Sequence, residues 1–148
     1  MTASLLDVGA GLRACVFTLG GTTFALDVTS AREVAVFEAV TPVPRAPAAV
    51  VGVANLRGDV VPIVDARARL GLPPRPAARS LRTLVVAADG CEIALEIDAV
   101  LGLEGFAEVA PPEGAAAPAW VAGTVEYDGR RVAVLDPAGL VRALQGED

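Results

Sequence analysis

The chain repeats a block of sequence between its middle and its end, and this duplication constrains the fold more than any other feature. Residues 52–65, GVANLRGDVVPIVD, return as residues 123–136, GTVEYDGRRVAVLD, with two glycines and the final aspartate at one constant offset. A weaker upstream match pairs five positions of residues 21–34 with positions of residues 90–103. The repeat therefore involves whole halves of the chain rather than one hairpin.

The size of the repeat limits how each half can fold. The chain has 148 residues, 53% of them hydrophobic and 20% charged, as in a compact globular protein. A half of about seventy residues is small for a core of its own. The sequence therefore predicts a mainly β fold of two five-stranded barrels packed on one another, with a shared apolar layer and a cleft along the seam.

The apolar runs are short, are rich in β-branched residues and are separated by glycine turns, so antiparallel hairpins are expected. Four hairpins are predicted, with turns around Gly20-Gly21, Gly58, Asp89-Gly90 and Asp128-Gly129. A short helix is expected after each repeated aspartate, because Asp65 and Asp136 can cap free backbone N–H groups. Four repeated glycines are interpreted as structural turns: Gly52, Gly58, Gly123 and Gly129.

Charge and hydropathy limit the partners and the cellular location that are expected for this chain. The net charge is −6 and all twelve basic residues are arginine, which disfavours binding to nucleic acid. No apolar run can cross a bilayer as a helix, and residues 1–10 show no signal pattern, so a cytoplasmic protein without direct membrane insertion is expected. The arginines from Arg67 to Arg82 are interpreted as a solvated connector, and Cys15 and Cys91 as buried structural thiols.

The residue types argue against catalysis. The chain contains no histidine, which removes the commonest general base and the commonest zinc ligand. The aspartates that end apolar runs are expected to cap helices or face solvent, and no phosphate-binding glycine loop is present. We therefore expect no enzyme activity, no cofactor and no metal. A small barrel enzyme or ligand carrier is the least favoured alternative.

Arg57 is the side chain that the spacing singles out for binding. It lies at a turn bounded by Gly58, between two apolar runs, where it would overhang the seam between the barrels. Its guanidinium can hydrogen-bond in a fixed fork, either to a carboxylate of its own chain or to a partner helix. On spacing alone, an arginine that only decorates a hairpin is an equal alternative.

The block around Asn55-Leu56-Arg57-Gly58 closely resembles the CheW family of chemotaxis coupling proteins, and the resemblance extends from Val16 to Asp136. It implies two intertwined five-stranded barrels with a few short helices, in a single domain over residues 13–145 with tails at 1–12 and 146–148. It also implies a non-catalytic scaffold that joins the helical hairpin tip of a chemoreceptor to the regulatory domain of a CheA-type histidine kinase, with recruitment to receptor clusters at the membrane.

The resemblance also implies where the receptor binds. The family's contact positions fall on six residues of the seam: Ala31, Glu33, Arg57, Leu84, Val85 and Leu103. We expect Glu33 to pair with Arg57 and to orient it.

Two departures from the family pattern leave alternatives open. Ala31 replaces a larger aliphatic residue, and the segment from Ala110 to Pro118 lacks the basic residue and the phenylalanine that help related proteins to close ring-shaped arrays. Membership of a hexagonal array therefore stays open. So does a CheW-like interaction module diverted to another chemosensory or surface-motility pathway, where it would engage only one partner.

Overall fold

The computed structural model describes residues 11–75, 80–112 and 118–145. These residues form ten strands and one helix in the order β1 (Leu12–Leu19), β2 (Thr22–Asp27), β3 (Ala31–Phe37), β4 (Val50–Leu56), β5 (Asp59–Val64), β6 (Leu81–Ala88), β7 (Cys91–Glu96), β8 (Ala99–Phe106), β9 (Val121–Tyr127), β10 (Arg130–Leu135) and α1 (Pro137–Leu144). Strands β1 to β5 correspond through the sequence repeat to β6 to β10.

The strands form two five-stranded sheets that exchange elements between the two halves of the chain. One sheet has the order β8-β1-β2-β10-β9 and the other β3-β6-β7-β5-β4. Each sheet thus combines two strands from one half with three from the other. The chain crosses between the sheets through short connections at residues 28–30 and 97–98. The predicted intertwined, mainly β architecture is confirmed.

Each sheet closes on itself through one further bridge between its two edges. The segment after β3 pairs Thr41 with Val53 of β4, and the segment after β8 pairs Ala110 with Thr124 of β9. The Thr41 and Val53 amides donate to each other's carbonyls at 2.9 and 2.8 Å. Because these bridges join the outermost strands, each sheet is a small barrel.

Gly52 and Gly123 allow this closure, and their interpretation as turns was wrong. Both lie within strands, β4 and β9. A Cβ atom on Gly52 would lie 2.5 Å from the carbonyl oxygen of Thr41, and one on Gly123 would lie 2.7 Å from that of Ala110. The repeated glycine is therefore needed because the closing segment passes directly over the strand backbone.

Gly58 and Gly129 do occupy turns, with φ of 91° and 76°. Arg57 and Asp128 before them also have positive φ, 54° and 51°, so both central residues of each hairpin turn are left-handed. This is the backbone of a type I′ turn, whose twist matches the twist of the flanking strands. The hairpin prediction is confirmed at both positions.

The core consists of three apolar layers. One fills the barrel of β1, one fills the barrel of β6, and the third lies between the barrels. In β1, Ala14 points into its barrel while Cys15 and Phe17 point into the layer between the barrels. The shared layer takes side chains from both sheets and from α1, among them Phe17, Leu26, Leu84, Leu95, Leu140 and Leu144.

Only one of the two expected helices is present in the described residues. Pro137 lies in the first turn of α1 as predicted, but Asp136 makes no side-chain cap there. After Asp65 the chain forms turns instead, with a single helical bond from the Leu70 amide to the Ala66 carbonyl at 2.9 Å. Gly71, at φ 75°, ends these turns before Pro73 and Pro74, which cannot extend a helix.

The predicted tails and part of the segment from Ala110 to Pro118 lie outside the described residues. Leu12, which was assigned to the first tail, already belongs to β1 and is buried. Within the described ranges, no helix has the length and apolar character needed to span a bilayer.

Candidate functional site

Glu33 and Arg57 form a bidentate ion pair, as the sequence predicted. Arg57 Nη1 donates to Glu33 Oε2 at 2.6 Å, and Nη2 donates to Oε1 at 2.6 Å. The Glu33 side chain is 25% exposed and the Arg57 side chain 75% exposed. A guanidinium has five N–H donors, and two are used here. Three donors of Arg57 are therefore directed elsewhere, including toward solvent.

The local backbone explains why an arginine at this turn is held in place. A positive φ is uncommon for a residue other than glycine, asparagine or aspartate, and Arg57 adopts one. The Asn55 side chain supports the turn, because its Oδ1 accepts a hydrogen bond from the Gly58 amide at 2.9 Å. Asn55, Arg57 and Gly58 thus form one structural unit, which accounts for their grouping in the sequence.

The edge strands β3 and β8 expose apolar side chains that continue the shared layer outward. Val34 is opposite Leu84 and Leu103 is opposite Cys15, and both partners belong to the shared layer. Residues opposite one another across a strand pair point to the same face. We call the exposed residues of these two faces the edge-strand surface; they are Val34, Val36, Val100 and Leu103, with Leu103 61% exposed.

The sequence repeat relates the two parts of this surface. Val34 corresponds to Leu103 and Ala31 corresponds to Val100, and each pair of residues flanks one bulge in its strand. Ala31 is half-buried against the shared layer, whereas Val100 is 36% exposed. At this position the β3 part of the surface therefore presents a smaller apolar side chain than the β8 part.

Leu84 and Val85 are buried, so the structure does not offer them for direct contact. Their exposures are 2% and 0%. Both lie on β6, where neighbouring strands cover them on each side: Leu84 packs in the shared layer, and Val85 lies opposite Glu33. Leu84 thus adjoins Val34 on the face of the edge-strand surface, whereas Val85 points with Glu33 to the opposite face of the sheet.

Glu33 and Val34 point to opposite faces of β3, so the six predicted residues do not form one surface. Glu33 shares its face with Ala35 and Phe37, which pack inside the barrel of β6. The Glu33–Arg57 pair therefore lies at the end of that barrel, beside the turn that joins β4 and β5. Ala31 and Leu103 face the seam. The candidate site consists of an apolar edge-strand surface with this ion pair at its border.

A cluster of charges around the buried side chains of Arg67 and Glu96 lies elsewhere in the barrel of β6, and sequence reasoning missed it. Arg67 is only 5% exposed, which overturns its assignment to a solvated connector. Its guanidinium donates to Asp65 at 3.0 Å, Glu96 at 3.3 Å and Asp98 at 3.4 Å. Arg75 Nε lies 2.7 Å from Glu96 Oε1. We call Asp65, Arg67, Arg75, Glu96 and Asp98 the ion cluster.

The ion cluster also links the two barrels. Asp98 lies in the connection between β7 and β8, and its Oδ2 accepts from the Gly21 amide of the opposite barrel at 3.0 Å. Burial raises the pKa of Glu96, partly offset by the nearby guanidinium of Arg75. A signal for this cluster exists in the sequence, because Glu96 shares a strand face with the inward-pointing Ala94 and therefore needs a cationic partner.

Of the two cysteines, Cys15 agrees with the prediction of a buried thiol and Cys91 does not. Cys15 is buried, and this burial raises the pKa of its thiol, so it is an unreactive core residue. Cys91 is exposed at the start of β7, so its interpretation as a buried thiol was wrong. Over the ranges that the structure describes, no group of acidic, cysteine or histidine side chains could hold a metal ion.

Two interlocked small barrels with an exposed apolar edge form a mainly β domain whose surface is of the kind that suits contact with another protein. Residues 13–145 match the model of the CheW-like domain. Since this match covers most of the chain, the chain belongs to the CheW-like domain family. Proteins of this family are non-catalytic scaffolds, in agreement with the expectation from the sequence that this is no enzyme.

Individual relatives agree with this assignment. The chain is 38% identical over 92 residues to the chemotaxis protein CheW of Rhizobium meliloti, a match covering 61% of this chain and 58% of that protein. It is 30% identical over 92 residues to CheW of Bacillus subtilis, covering 62% and 59%. The matches thus span somewhat more than half the length of these relatives.

The fold has a counterpart among solved structures. The scaffolding protein TtCheW from Thermoanaerobacter tengcongensis superposes with a TM-score of 0.78 at 26% sequence identity. The similarity covers 87% of this chain and 91% of that structure. The intertwined barrels are therefore the family's fold.

Proposed function

We propose that this protein is a non-catalytic scaffold that couples the helical hairpin tip of a chemoreceptor to a CheA-type histidine kinase in chemotaxis signal transduction. The observation that carries the proposal is the edge-strand surface. It is an apolar surface on two strands from different barrels, in a chain of a family of chemotaxis scaffolds. As part of this proposal, the protein would be recruited to receptor clusters at the membrane without inserting into the bilayer.

The chemistry of the edge-strand surface suits a receptor helix. Val34, Val36, Val100 and Leu103 can receive the apolar stripe of an amphipathic helix, whose residues recur at every third or fourth position. Leu84, which adjoins Val34, is fully packed in the shared layer, so this part of the surface is preformed. A preformed surface avoids the entropy cost of ordering on binding.

Arg57 supplies orientation at the border of this surface. The pair with Glu33 fixes the guanidinium while leaving three of its donors available. A carboxylate or a helix C-terminal carbonyl on the receptor would accept hydrogen bonds from these donors. We therefore assign apolar contact to the edge strands and alignment of the receptor helix to Arg57.

The proposal is tested with purified protein, a receptor hairpin fragment and the CheA-type kinase from the same source. Leu103→Asp should weaken binding to the receptor fragment at least about tenfold, because an exposed apolar anchor is replaced by a charge that binding must desolvate. The matched control is Val60→Asp, since Val60 is 68% exposed but lies on β5, outside the edge-strand surface. Calorimetry should show unchanged binding for this control.

Binding to the kinase separates the two candidate functions. Wild-type protein should recover both receptor and kinase in one complex, and Leu103→Asp should retain the kinase. Recovery of the receptor with no kinase would favour the alternative, a CheW-like module diverted to another chemosensory or surface-motility pathway. Receptor affinity that is equal for Leu103→Asp and wild type would refute the assigned surface.

A further inference from the structure

A cleft separate from the edge-strand surface lies between the end of α1, the turns after β5 and the segment before β4. Its volume is about 760 Å³, which is in the range of ligand-binding clefts. Its floor is apolar and made of small or branched side chains: Ala48, Ala49, Val51, Ala68, Ala143 and Leu144. Leu144 also packs in the shared layer, so this floor rests on the core.

Arginines border this cleft. Arg45 and Arg69 line it, and a smaller neighbouring cleft of about 370 Å³ shares Arg69 and Ala143 with it and adds Arg142. We call the two clefts together the α1 groove. Arg45 and Arg142 are exposed, and no ion pair to either is seen among the described residues.

The charge of the α1 groove opposes that of the whole chain. The protein carries a net charge of −6, yet the exposed guanidiniums of Arg45 and Arg142 both border this groove. Among the described lining residues, the carboxylate belongs to Asp65, and its Oδ1 already accepts from the Arg67 amide and guanidinium. Arg45 and Arg142 therefore give this described part of the groove a positive charge.

The backbone at Arg45 also favours a positioned side chain. Its φ is 62°, in the left-handed region that a non-glycine residue adopts only where the surrounding structure imposes it. Such residues concentrate at binding sites. Arg142 lies in the last turn of α1, where a cation also stabilises the helix end. Helix stability thus explains the position of Arg142 but not that of Arg45.

We propose that the α1 groove is a docking site for an acidic peptide segment of a partner protein. Guanidinium groups bind carboxylates through paired N–H donors, and the apolar floor accepts short aliphatic side chains between the acidic residues. The acidic chain as a whole repels polyanions such as nucleic acid, whereas a short peptide meets only the local positive charge. The proposal is independent of receptor binding, because it uses a different surface.

The test is fluorescence anisotropy with a fluorescein-labelled peptide of sequence EEALDE and its neutral counterpart QQALNQ. The acidic peptide should bind more tightly, and its affinity should fall as salt increases. Arg45→Glu should weaken its binding at least about tenfold, because a charge-assisted contact is replaced by repulsion. Arg130→Glu is the matched control, since Arg130 is exposed on the β9–β10 hairpin, outside the α1 groove.

Four results would overturn the proposal. The first is equal binding of the two peptides, and the second is equal weakening by Arg45→Glu and Arg130→Glu. The third is competition by inorganic phosphate as effective as that of unlabelled EEALDE at matched ionic strength, which would show a general anion site only. The fourth is a tenfold gain in peptide affinity in the variant Glu147→Gln/Asp148→Asn, which would assign the groove to the chain's own terminal carboxylates. Circular dichroism of each variant verifies that α1 remains folded.

Discussion

Replacing Gly52 with alanine should disrupt the closure of one barrel, which the bridge between Thr41 and Val53 forms. The added Cβ would lie 2.5 Å from the Thr41 carbonyl oxygen and 2.6 Å from Val40 Cγ1. Ordinary contacts of this kind are about 3.4 Å or longer, so the closing segment must move by almost an ångström. The atom in the way is backbone, which cannot rotate aside as a side chain would.

The cost follows from what this movement disrupts. Overpacking a close contact costs about 1–3 kcal/mol. The Thr41–Val53 bridge contains two backbone hydrogen bonds, at 2.9 and 2.8 Å, each with a net contribution of about 1 kcal/mol. Since the same displacement causes both losses, we expect Gly52→Ala to lower the free energy of unfolding by about 3 kcal/mol. This is a large share of the stability of a small domain.

Equilibrium unfolding in urea measures this change as a lower midpoint at unchanged slope. Hydrogen exchange should also accelerate at the amides of Thr41 and Val53, which form the bridge. Gly123→Ala tests the other barrel, where the Cβ would meet the Ala110 carbonyl at 2.7 Å. The control is Gly105→Ala, because a Cβ at this strand position meets nothing within 4 Å.

The reasoning fails if Gly52→Ala and Gly105→Ala have the same stability within about 0.5 kcal/mol, the usual scatter of surface substitutions. It also fails if the loss at Gly52 is large but exchange at Val53 is unchanged, because the strain would then lie outside the bridge.

Three further predictions concern single sites. Burial raises the pKa of Glu96 above its ordinary 4.5, so the folded state binds this proton more tightly than the unfolded chain does. The free energy of unfolding should therefore fall as pH rises from the unfolded pKa through the folded pKa. In urea titrations at several pH values, Glu96→Gln should make the free energy of unfolding less dependent on pH over this range. Arg57→Glu should remain folded, losing about 1 kcal/mol through repulsion with Glu33, and should bind the receptor fragment more weakly in calorimetry; the double variant Glu33→Arg/Arg57→Glu should regain stability but not receptor binding. Iodoacetamide should modify Cys91 in the native protein and Cys15 only after unfolding, as mass spectrometry can show; native modification of Cys15 would contradict its burial.

The sequence predicted the repeated scaffold because duplicated turns and apolar runs carry local signals. Gly58 and Gly129 have the positive φ that a tight hairpin turn requires, and that requirement is visible in the glycine itself. Pro137 likewise marks the start of α1. The pairing of Glu33 with Arg57 was expected from the family resemblance, and the structure places the two in direct contact.

Other features depend on contacts between distant segments and could not be read locally. Gly52 and Gly58 are both repeated glycines, but they have different roles. Gly58 allows a tight turn, whereas Gly52 allows the close approach of Thr41, eleven positions earlier in the chain. Arg67 lies in an arginine-rich stretch, and only the fold brings Glu96 and Asp98 around it. Burial of Leu84 and Val85 likewise depends on the position of β6 between two strands.

The strands that bear the edge-strand surface are also the strands that interlock the barrels. β3 and β8 each leave the sheet of their own hairpin and pair with the first strand of the other half. A helix bound on both Val34 and Leu103 would therefore contact both barrels at once, and its affinity would depend on their relative position. Asp98 of the ion cluster links the two barrels at the protein surface, because its carboxylate accepts a hydrogen bond from the Gly21 amide. Receptor binding and the inter-barrel arrangement should thus be coupled, so substitutions in the ion cluster should alter receptor affinity without touching the receptor.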